Sequence, residues 1–170
     1  MRALKIFLCC LAATAFTGCA SYHLGAVNGS VQGDKSIEVL PFNNQTLQPR
    51  LGDALTQSLR ERLQVDGTYH LAKHGAGDVV VTGVIHLYAR ETLGSSATDV
   101  SSPENYRVGA SVHVTARERD SGKLLLDKDV KGHVLVHIGS DLASAERQAL
   151  PLLADDLAHN IAELLTEGAW

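Results

Sequence analysis

Histidine and aspartate side chains are the groups in this sequence whose types and spacing could do chemistry. The chain has eight histidines. Strand alternation puts His133 and His137 on one exposed strand face, with His113 opposite them on the neighbouring strand. A metal site needs three or four converging ligands that are themselves held by hydrogen bonds. Because these residues are spread along a strand, we expect a solvated face and no bound metal.

Catalytic motifs do not accompany the histidines. The sequence contains neither a Gly-x-Ser-x-Gly nucleophile motif nor a Gly-rich phosphate loop between a strand and a helix. The carboxylate pairs Asp127/Asp129 and Asp155/Asp156 are predicted on an exposed strand face and on a helix, where solvation explains them. We therefore predict a protein that is not an enzyme and uses no cofactor. A hydrolase that uses the histidine-rich face is a remote alternative, and a metal assay would separate the two.

Cys19 carries the clearest chemical prediction. Arg2 and Lys5 give the chain a positive start, residues 6–16 form a short apolar run, and Thr17-Gly18 lead into the cysteine. An apolar run of this length is too short to span a bilayer as a helix and is typical of a signal peptide. The first residues are therefore an export signal.

The Gly-Cys junction resembles the lipobox of bacterial lipoproteins, although Phe16 stands where leucine is usual. This resemblance implies that residues 1–18 are removed and that Cys19 carries acyl chains, at about 0.8 kcal/mol of anchoring per buried CH₂. Ala20 in the next position implies sorting to the outer membrane, with residues 19–35 as a tether. An ordinary signal peptide that happens to contain a cysteine is the alternative.

Charge and cysteine content limit the partners of the mature chain. Cys9 and Cys10 leave with the signal, so Cys19 remains alone and no internal disulfide can form. Loss of Arg2 and Lys5 leaves 13 basic against 19 acidic residues, a net charge of about −6. This charge argues against nucleic acid and against electrostatic attraction to anionic lipid, so contact with the membrane depends on the acyl anchor.

Residues 36–170 are long enough for a single domain, which begins with a strand and a helix. Residues 36–42 alternate as a strand closed by Pro41. Pro49 suits a first helical position, and leucines then recur every four residues until Asp66-Gly67 ends an amphipathic helix.

Four strands and a second helix follow. Short and long strands are expected at 68–71 and 79–90, the long one central, and residues 106–116 alternate as a half-buried strand. A turn at 120–122 reverses the chain into a strand with one buried and one wet face. The residues predicted for its buried face are Leu124, Leu126, Val130, Val134, Val136 and Ile138; those for its wet face are Asp127, Asp129, Lys131, His133 and His137.

Asp141 can cap a final amphipathic helix that Pro151 should kink or divide. The polar segment 91–105 is longer than an ordinary hairpin loop and is either mobile or a binding element. The pattern predicts an α+β, two-layer sandwich with two helices on one face of a mostly antiparallel sheet of about four strands.

Several segments in order resemble the LptE family of lipopolysaccharide-assembly lipoproteins. Each motif is weak alone, but together they cover nearly the whole mature chain. The matching segments are 19–25 (CASYHLG), 37–46 (IEVLPFNNQT), 47–51 (LQPRL), 66–69 (DGTY), 76–83 (AGDVVVTG), 141–151 (DLASAERQALP) and 167–170 (EGAW).

The resemblance implies two helices over a four-stranded sheet and a non-enzymatic role. LptE-like proteins plug the lumen of the β-barrel protein LptD and help it fold, and the pair inserts lipopolysaccharide into the outer leaflet. The implied partner is an LptD-like barrel, contacted through segment 91–105 or an exposed strand face. The implied location is the periplasmic side of the outer membrane.

Direct lipopolysaccharide binding is a second hypothesis. Arg107, Arg117 and Lys131 are the cations predicted near one strand face, but a mixed-charge surface explains them equally well. No lipid-contact residue is assigned. The alternative family is that of LpoB and CsgG, a synthase activator and a secretion-channel component, which resembles only residues 36–70.

Overall fold

Six strands and two helices make up the part of the chain that the computed structural model describes, residues 35–93, 105–137 and 142–167. Cys19, Asp141, Ile138 and most of segment 91–105 lie outside these residues. The elements are β1 (Ser36–Val39), β2 (Asn43–Asn44), α1 (Leu51–Asp66), β3 (His70–Leu71), β4 (Val79–Thr92), β5 (Asn105–Glu118), β6 (Leu124–His137) and α2 (Leu142–Glu167).

The sheet is mixed and has the strand order β3-β1-β4-β5-β6, with β2 also paired to β4. β1 runs parallel to β3 and β4, and β2 runs parallel to β4. Only β4, β5 and β6 form antiparallel pairs. The prediction of α+β structure with two helices is confirmed, whereas the prediction of about four mostly antiparallel strands is wrong. The reason is that α1 carries the chain back along the sheet, so β3 runs in the same direction as β1.

Both helices pack on the same face of the sheet and close one hydrophobic core. α1 buries Leu51, Leu55, Leu59 and Leu63, the four leucines expected from their spacing. α2 contributes Leu153, Leu157, Ile161 and Leu165, all fully buried, and packs against α1, β6 and β5. The four-residue periodicity therefore identified the packed stripe of α1 correctly, whereas at the end of α2 Leu165 is buried in place of the expected Leu164.

Local sequence signals predicted the end of α1 correctly, but not its first residue. Gly67 adopts a left-handed φ of 74° and its N–H donates to Leu63 O at 3.2 Å, which ends α1 as expected. Pro49 lies before the helix, because α1 begins at Leu51 after Arg50. Pro151 lies within one continuous helix, so the predicted division into two helical segments does not occur.

A β-bulge changes the face on which β6 begins. Leu126 pairs with Ala116 and Leu124 pairs with Arg117, which leaves Leu125 as the extra residue. Leu124 was predicted on the buried face, but the bulge turns it toward the opposite face, where it is 43% exposed. The faces predicted for Leu126 and for residues 127–137 agree with the observed register. Ile138, which was predicted on the buried face, lies outside the described residues.

α2 crosses the outer edge of β6 at a glycine. A Cβ on Gly132 would lie 2.7 Å from Leu157 Cγ and 2.9 Å from Asp156 Oδ2, so only glycine leaves room for the helix. Beside this crossing, His133 N–H donates to Asp156 Oδ2 at 2.9 Å and Asn160 Nδ2 donates to Lys131 O at 3.0 Å. Side chains of α2 therefore satisfy backbone groups at the centre of this edge.

Candidate partner-binding surface

The candidate functional surface is the outer face, which we define as the side of β4, β5 and β6 opposite the helices. Its middle rows pair Thr82 with Thr115 and Val84 with His113, and β6 continues these rows with Asp127 and Asp129. No described helix packs on this side, which leaves the face open to a partner.

A second β-bulge, in β4 at His86, divides the outer face into two parts. Ile85 pairs with Val112 and Leu87 with Ser111, so His86 is the extra residue. Before the bulge the odd-numbered side chains of β4 point to the helices; after it the even-numbered ones do. The bulge therefore places His86 on the outer face and turns Tyr88 and Arg90 toward α2.

Two histidines and two aspartates meet on the outer face beside the bulge. His113 Nε2 lies 2.9 Å from Asp127 Oδ1, and His113 Nδ1 lies 3.1 Å from Asp129 Oδ1. His86 Nε2 lies 3.3 Å from the same Asp129 oxygen. Only a doubly protonated His113 can donate from both ring nitrogens, so both of its contacts are complete when the imidazole carries a positive charge.

Asp129 is the most strongly connected carboxylate of this cluster. The hydrogen bond from His113, with smaller contributions from His86, holds the pKa of Asp129 below its ordinary value against the opposing effect of desolvation. Asp129 therefore stays ionised at neutral pH and keeps the two imidazoles in place on the open face.

The predicted histidine grouping differs from the observed one. His133 pairs with Gly109 and His137 with Asn105, whereas His113 pairs with Asp129. His113 therefore lies four strand positions, about 13 Å, from His133. His137 Nδ1 instead lies 3.0 Å from Asn105 Oδ1. Within residues 35–93, 105–137 and 142–167, no group of three or more His, Cys, Asp or Glu side chains has the geometry to hold a metal ion.

The three candidate cations for an anionic lipid are not brought together. Arg107 and Arg117 lie ten positions apart on β5, about 33 Å at strand spacing. Lys131 pairs with Ser111 between them. Arg107 is also bonded to Glu91, at 3.3 Å between Nη1 and Oε2. These residues form a mixed-charge surface and no anion-binding cluster.

Two exposed leucines lie on the outer face beyond the bulge. Leu87 is 50% exposed and Leu135 is 64% exposed, and the small residues Ala89 and Gly109 pair with each other between them. We call these four residues the apolar end of the outer face. Two exposed leucines on either side of small residues form a shallow surface that a partner side chain can cover.

Tyr88 and Arg90 fix the other side of this end to α2. Tyr88 Oη donates to Glu146 Oε1 at 3.1 Å, and Arg90 Nη1 lies 3.3 Å from the same oxygen. Burial, followed by the charge and hydrogen bond of Glu146, raises the pKa of Tyr88 to about 12. The hydroxyl therefore remains a donor at physiological pH, and α2 is held against β4.

The opposite end of the sheet is closed by a buried carboxylate. Glu38 is 3% exposed and is ion-paired with Arg119, and Arg119 Nε also donates to Gly77 O at 2.7 Å. Gly75 N–H donates to Glu38 Oε1 at 3.0 Å, and His74 Nδ1 lies 2.8 Å from that atom. These contacts, the Gly75 hydrogen bond first, lower the pKa of Glu38. No pattern in the sequence indicated this site, because it joins residues far apart in the chain.

The aspartate pair of α2 has structural partners. Asp155 forms a salt bridge with Arg62 of α1 at 3.0 Å, and Asp156 binds the β6 backbone. Solvation was expected to explain both aspartates. Since both residues also bind protein groups, they help to hold α2 in place.

Two helices on one face of a mixed sheet define a two-layer class of α+β domain. Within that class, a family model described as "LptE: Lipopolysaccharide-assembly" matches residues 35–165. The chain belongs to the LptE family. The match extends far beyond residues 36–70, the region on which the LpoB and CsgG alternative depended.

Solved structures share this fold at low sequence identity. A hypothetical protein from Chlamydia trachomatis superposes with a TM-score of 0.58 at 13% identity, covering 79% of this chain and 97% of the other. A candidate lipoprotein from Caulobacter crescentus gives 0.54 at 11%, covering 77% and 88%. A protein from Xanthomonas campestris gives 0.53 at 12%, covering 80% and 87%. At these identities the likeness concerns the fold alone.

A search of curated protein sequences found no significant match. Among the described helices, neither is both long and apolar enough to cross a membrane.

Proposed function

We propose that this chain is an outer-membrane lipoprotein, anchored through Cys19, that occupies and helps to assemble an LptD-like β-barrel for lipopolysaccharide insertion. The observation that carries the proposal is the LptE family match over residues 35–165. The open outer face supports it, because a domain inside a barrel needs an exposed surface that contacts the wall.

The outer face suits the interior of a barrel. Barrel lumens are polar and water-filled, or plugged by protein. Thr82, Thr115, His113 and Asp129 present hydroxyl, imidazole and carboxylate groups to such a wall, and the apolar end adds a shallow contact. A mixed polar surface with few exposed apolar side chains fits a polar barrel interior.

Partner identity is the first test. A C-terminally tagged copy is extracted from outer membranes with detergent, and stoichiometric partners are identified by mass spectrometry. We expect a single large LptD-like barrel at a ratio of one to one. A peptidoglycan synthase, or a ring of like subunits, would reject the proposal in favour of the LpoB and CsgG class.

The contact surface is tested by two changes. Deletion of Gly94–Ser101 asks whether segment 91–105 is needed, and an unchanged complex would exclude that segment. Thr115→Arg places a long cation at the centre of the outer face, and we expect it to weaken the complex. Gln57→Arg on α1, an exposed position on the opposite layer, is the matched control and should leave the complex intact.

The anchor is tested at the cysteines. Cys19→Ala should move the protein from the outer-membrane fraction to the periplasmic fraction, since the acyl chains supply the membrane affinity. Cys10→Ala, inside the signal peptide, is the control and should not change the fractionation. Palmitate labelling that persists in Cys19→Ala would show that the modified residue lies elsewhere.

A further inference from the structure

Strand β4 continues well beyond the strand that pairs with it on one side. β2 pairs with β4 only at Val84 and Ile85, and Gln45 N–H makes the last bond, to Ile85 O at 2.9 Å. From Leu87 to Thr92, β4 is paired with β5 on its other side. Among the described residues, no strand lies along the remaining edge of this segment.

Local hydrogen bonds make the chain leave that edge. Asn44 Oδ1 accepts from the backbone N–H of Thr46 at 3.0 Å and from its hydroxyl at 2.7 Å. Asn44 Nδ2 donates to Gln48 O at 2.6 Å. This Asx turn directs the chain toward α1, so β2 cannot extend along β4.

The pairing with β5 determines which backbone groups face the open edge. Leu93 N–H donates to Asn105 O at 3.0 Å, which makes Leu93 and Asn105 a hydrogen-bonded pair. In an antiparallel ladder such pairs alternate, so the intervening residues Tyr88, Arg90 and Thr92 direct their N–H and C=O groups away from β5. The edge therefore presents three donors and three acceptors at a spacing of about 6.8 Å.

At the β6 edge of the sheet, side chains of α2 bind the backbone groups that face outward. On β6, Asp156 accepts from His133 N–H and Asn160 donates to Lys131 O, and α2 crosses at Gly132. Side chains thus occupy the middle of the β6 edge, whereas Tyr88, Arg90 and Thr92 have no described side chain bonded to their edge-facing backbone groups. Unpaired, regular edges of this kind are templates for an added strand.

We propose that the Tyr88–Thr92 edge of β4 is a strand-addition site for an extended segment of the barrel partner. This inference rests on the proposed function. Only a polypeptide backbone matches alternating donors and acceptors at this spacing; a lipid or a sugar does not. The flanking side chains specify the segment. On the outer side it meets Leu87 and Ala89, which favour apolar residues, and on the inner side it meets Arg90, which favours a carboxylate or amide.

The test uses the co-expressed LptD-like barrel as its probe and a pair of variants at one position. Arg90→Ala and Arg90→Pro both remove the ion pair with Glu146, but only Arg90→Pro removes the edge-facing N–H. Proline is tolerated at such edge positions, so both variants should melt within a few degrees of each other. We expect Arg90→Pro to bind the barrel at least about tenfold more weakly than Arg90→Ala. Arg90→Ala, which loses the same side chain but keeps this N–H, is the matched control.

Hydrogen exchange gives an independent readout on the wild-type chain. In the isolated protein the amides of Tyr88, Arg90 and Thr92 should exchange fast, and in the complex they should become protected. Slow exchange of these amides in the isolated protein would overturn the proposal, because the edge would then be occupied by the chain itself. Equal binding of the two Arg90 variants, without protection, would overturn it while leaving the proposed function intact. Absence of any barrel complex would refute the proposed function itself.

Discussion

Gly132→Ala tests whether the close approach of α2 to β6 determines the position of the helix. Two effects oppose each other. Alanine is better than glycine within a strand by about 0.5–1 kcal/mol, so the substitution alone should stabilise the protein. The added Cβ, however, would lie 2.7 Å from Leu157 Cγ and 2.9 Å from Asp156 Oδ2, about 1 Å closer than van der Waals contact allows. Overpacking of this kind costs about 1–3 kcal/mol, so the clash should dominate.

The assay is thermal unfolding followed by circular dichroism. For a domain of this size a loss of 1–2 kcal/mol lowers Tm by about 4–8 °C. The displacement of α2 should also break the bond from His133 N–H to Asp156, which hydrogen exchange of the His133 amide would report. Gly109→Ala is the matched control: its Cβ meets Gly132 O at 3.3 Å, a milder contact, and should change Tm less.

A double mutant separates the clash from other causes. Leu157→Ala alone should lose about 2–5 kcal/mol by opening a cavity. In Gly132→Ala/Leu157→Ala the new methyl group fills part of that cavity, so the combined loss should be smaller than the sum of the two. A Gly132→Ala protein as stable as the wild type, or strict additivity in the double mutant, would refute the steric argument.

Three further predictions concern single side chains. The pKa of Glu38 is lower in the folded protein than in the unfolded chain, so the ionised carboxylate stabilises the fold above the unfolded-state pKa. This stabilisation is lost as the pH falls through the folded-state pKa. The Tm advantage of the wild type over Glu38→Gln should therefore shrink between about pH 5 and 3. Thr56→Val should cost about 1–3 kcal/mol in denaturant unfolding, because the buried Phe42 N–H loses its acceptor at 3.0 Å. Tyr88→Phe should cost about 0.5–1.5 kcal/mol through the lost bond to Glu146, and should remove a tyrosine that titrates near 12 in ultraviolet absorbance.

Each of these has a contradicting outcome. A Tm difference for Glu38→Gln that stays constant down to pH 3 would mean that the ionised carboxylate does not stabilise the fold. Thr56→Ser keeps the hydroxyl and should stay close to the wild type; equal losses in both variants would assign the effect to packing. A wild-type titration in which every tyrosine ionises near 10 would contradict the buried position of Tyr88.

The helices were predictable because their signals are local. The leucines of α1 recur with the helical period, and Gly67 can adopt the left-handed conformation that ends a helix. The predicted alternation of β5 and of most of β6 also agrees with the structure, since one buried and one wet face impose a period of two. The family resemblance depended on the same segments in order and was confirmed over residues 35–165.

The strand count and the faces near the bulges were not predictable. β2 is two residues long, too short for a periodic pattern, and exists because β4 lies beside it. The short strand expected at 68–71 is present as β3 at His70–Leu71. A bulge adds one residue without any necessary change in composition, so neither His86 nor Leu125 can be identified from alternation. Pro151 suggested a break, yet packing against α1 and β6 keeps α2 continuous.

The sequence by itself determined the elements with strong periodicity and the family of the domain, because each depends on residues that are close in the chain. Lipid attachment at Cys19 stays a prediction from the sequence. Tertiary structure alone decided which polar groups meet. The bulge at His86 places that imidazole beside Asp129, and the register of β5 and β6 places His113 between two aspartates. The fold likewise buries Glu38 against Arg119 and leaves one edge of β4 open, because register and crossing are set by long-range packing.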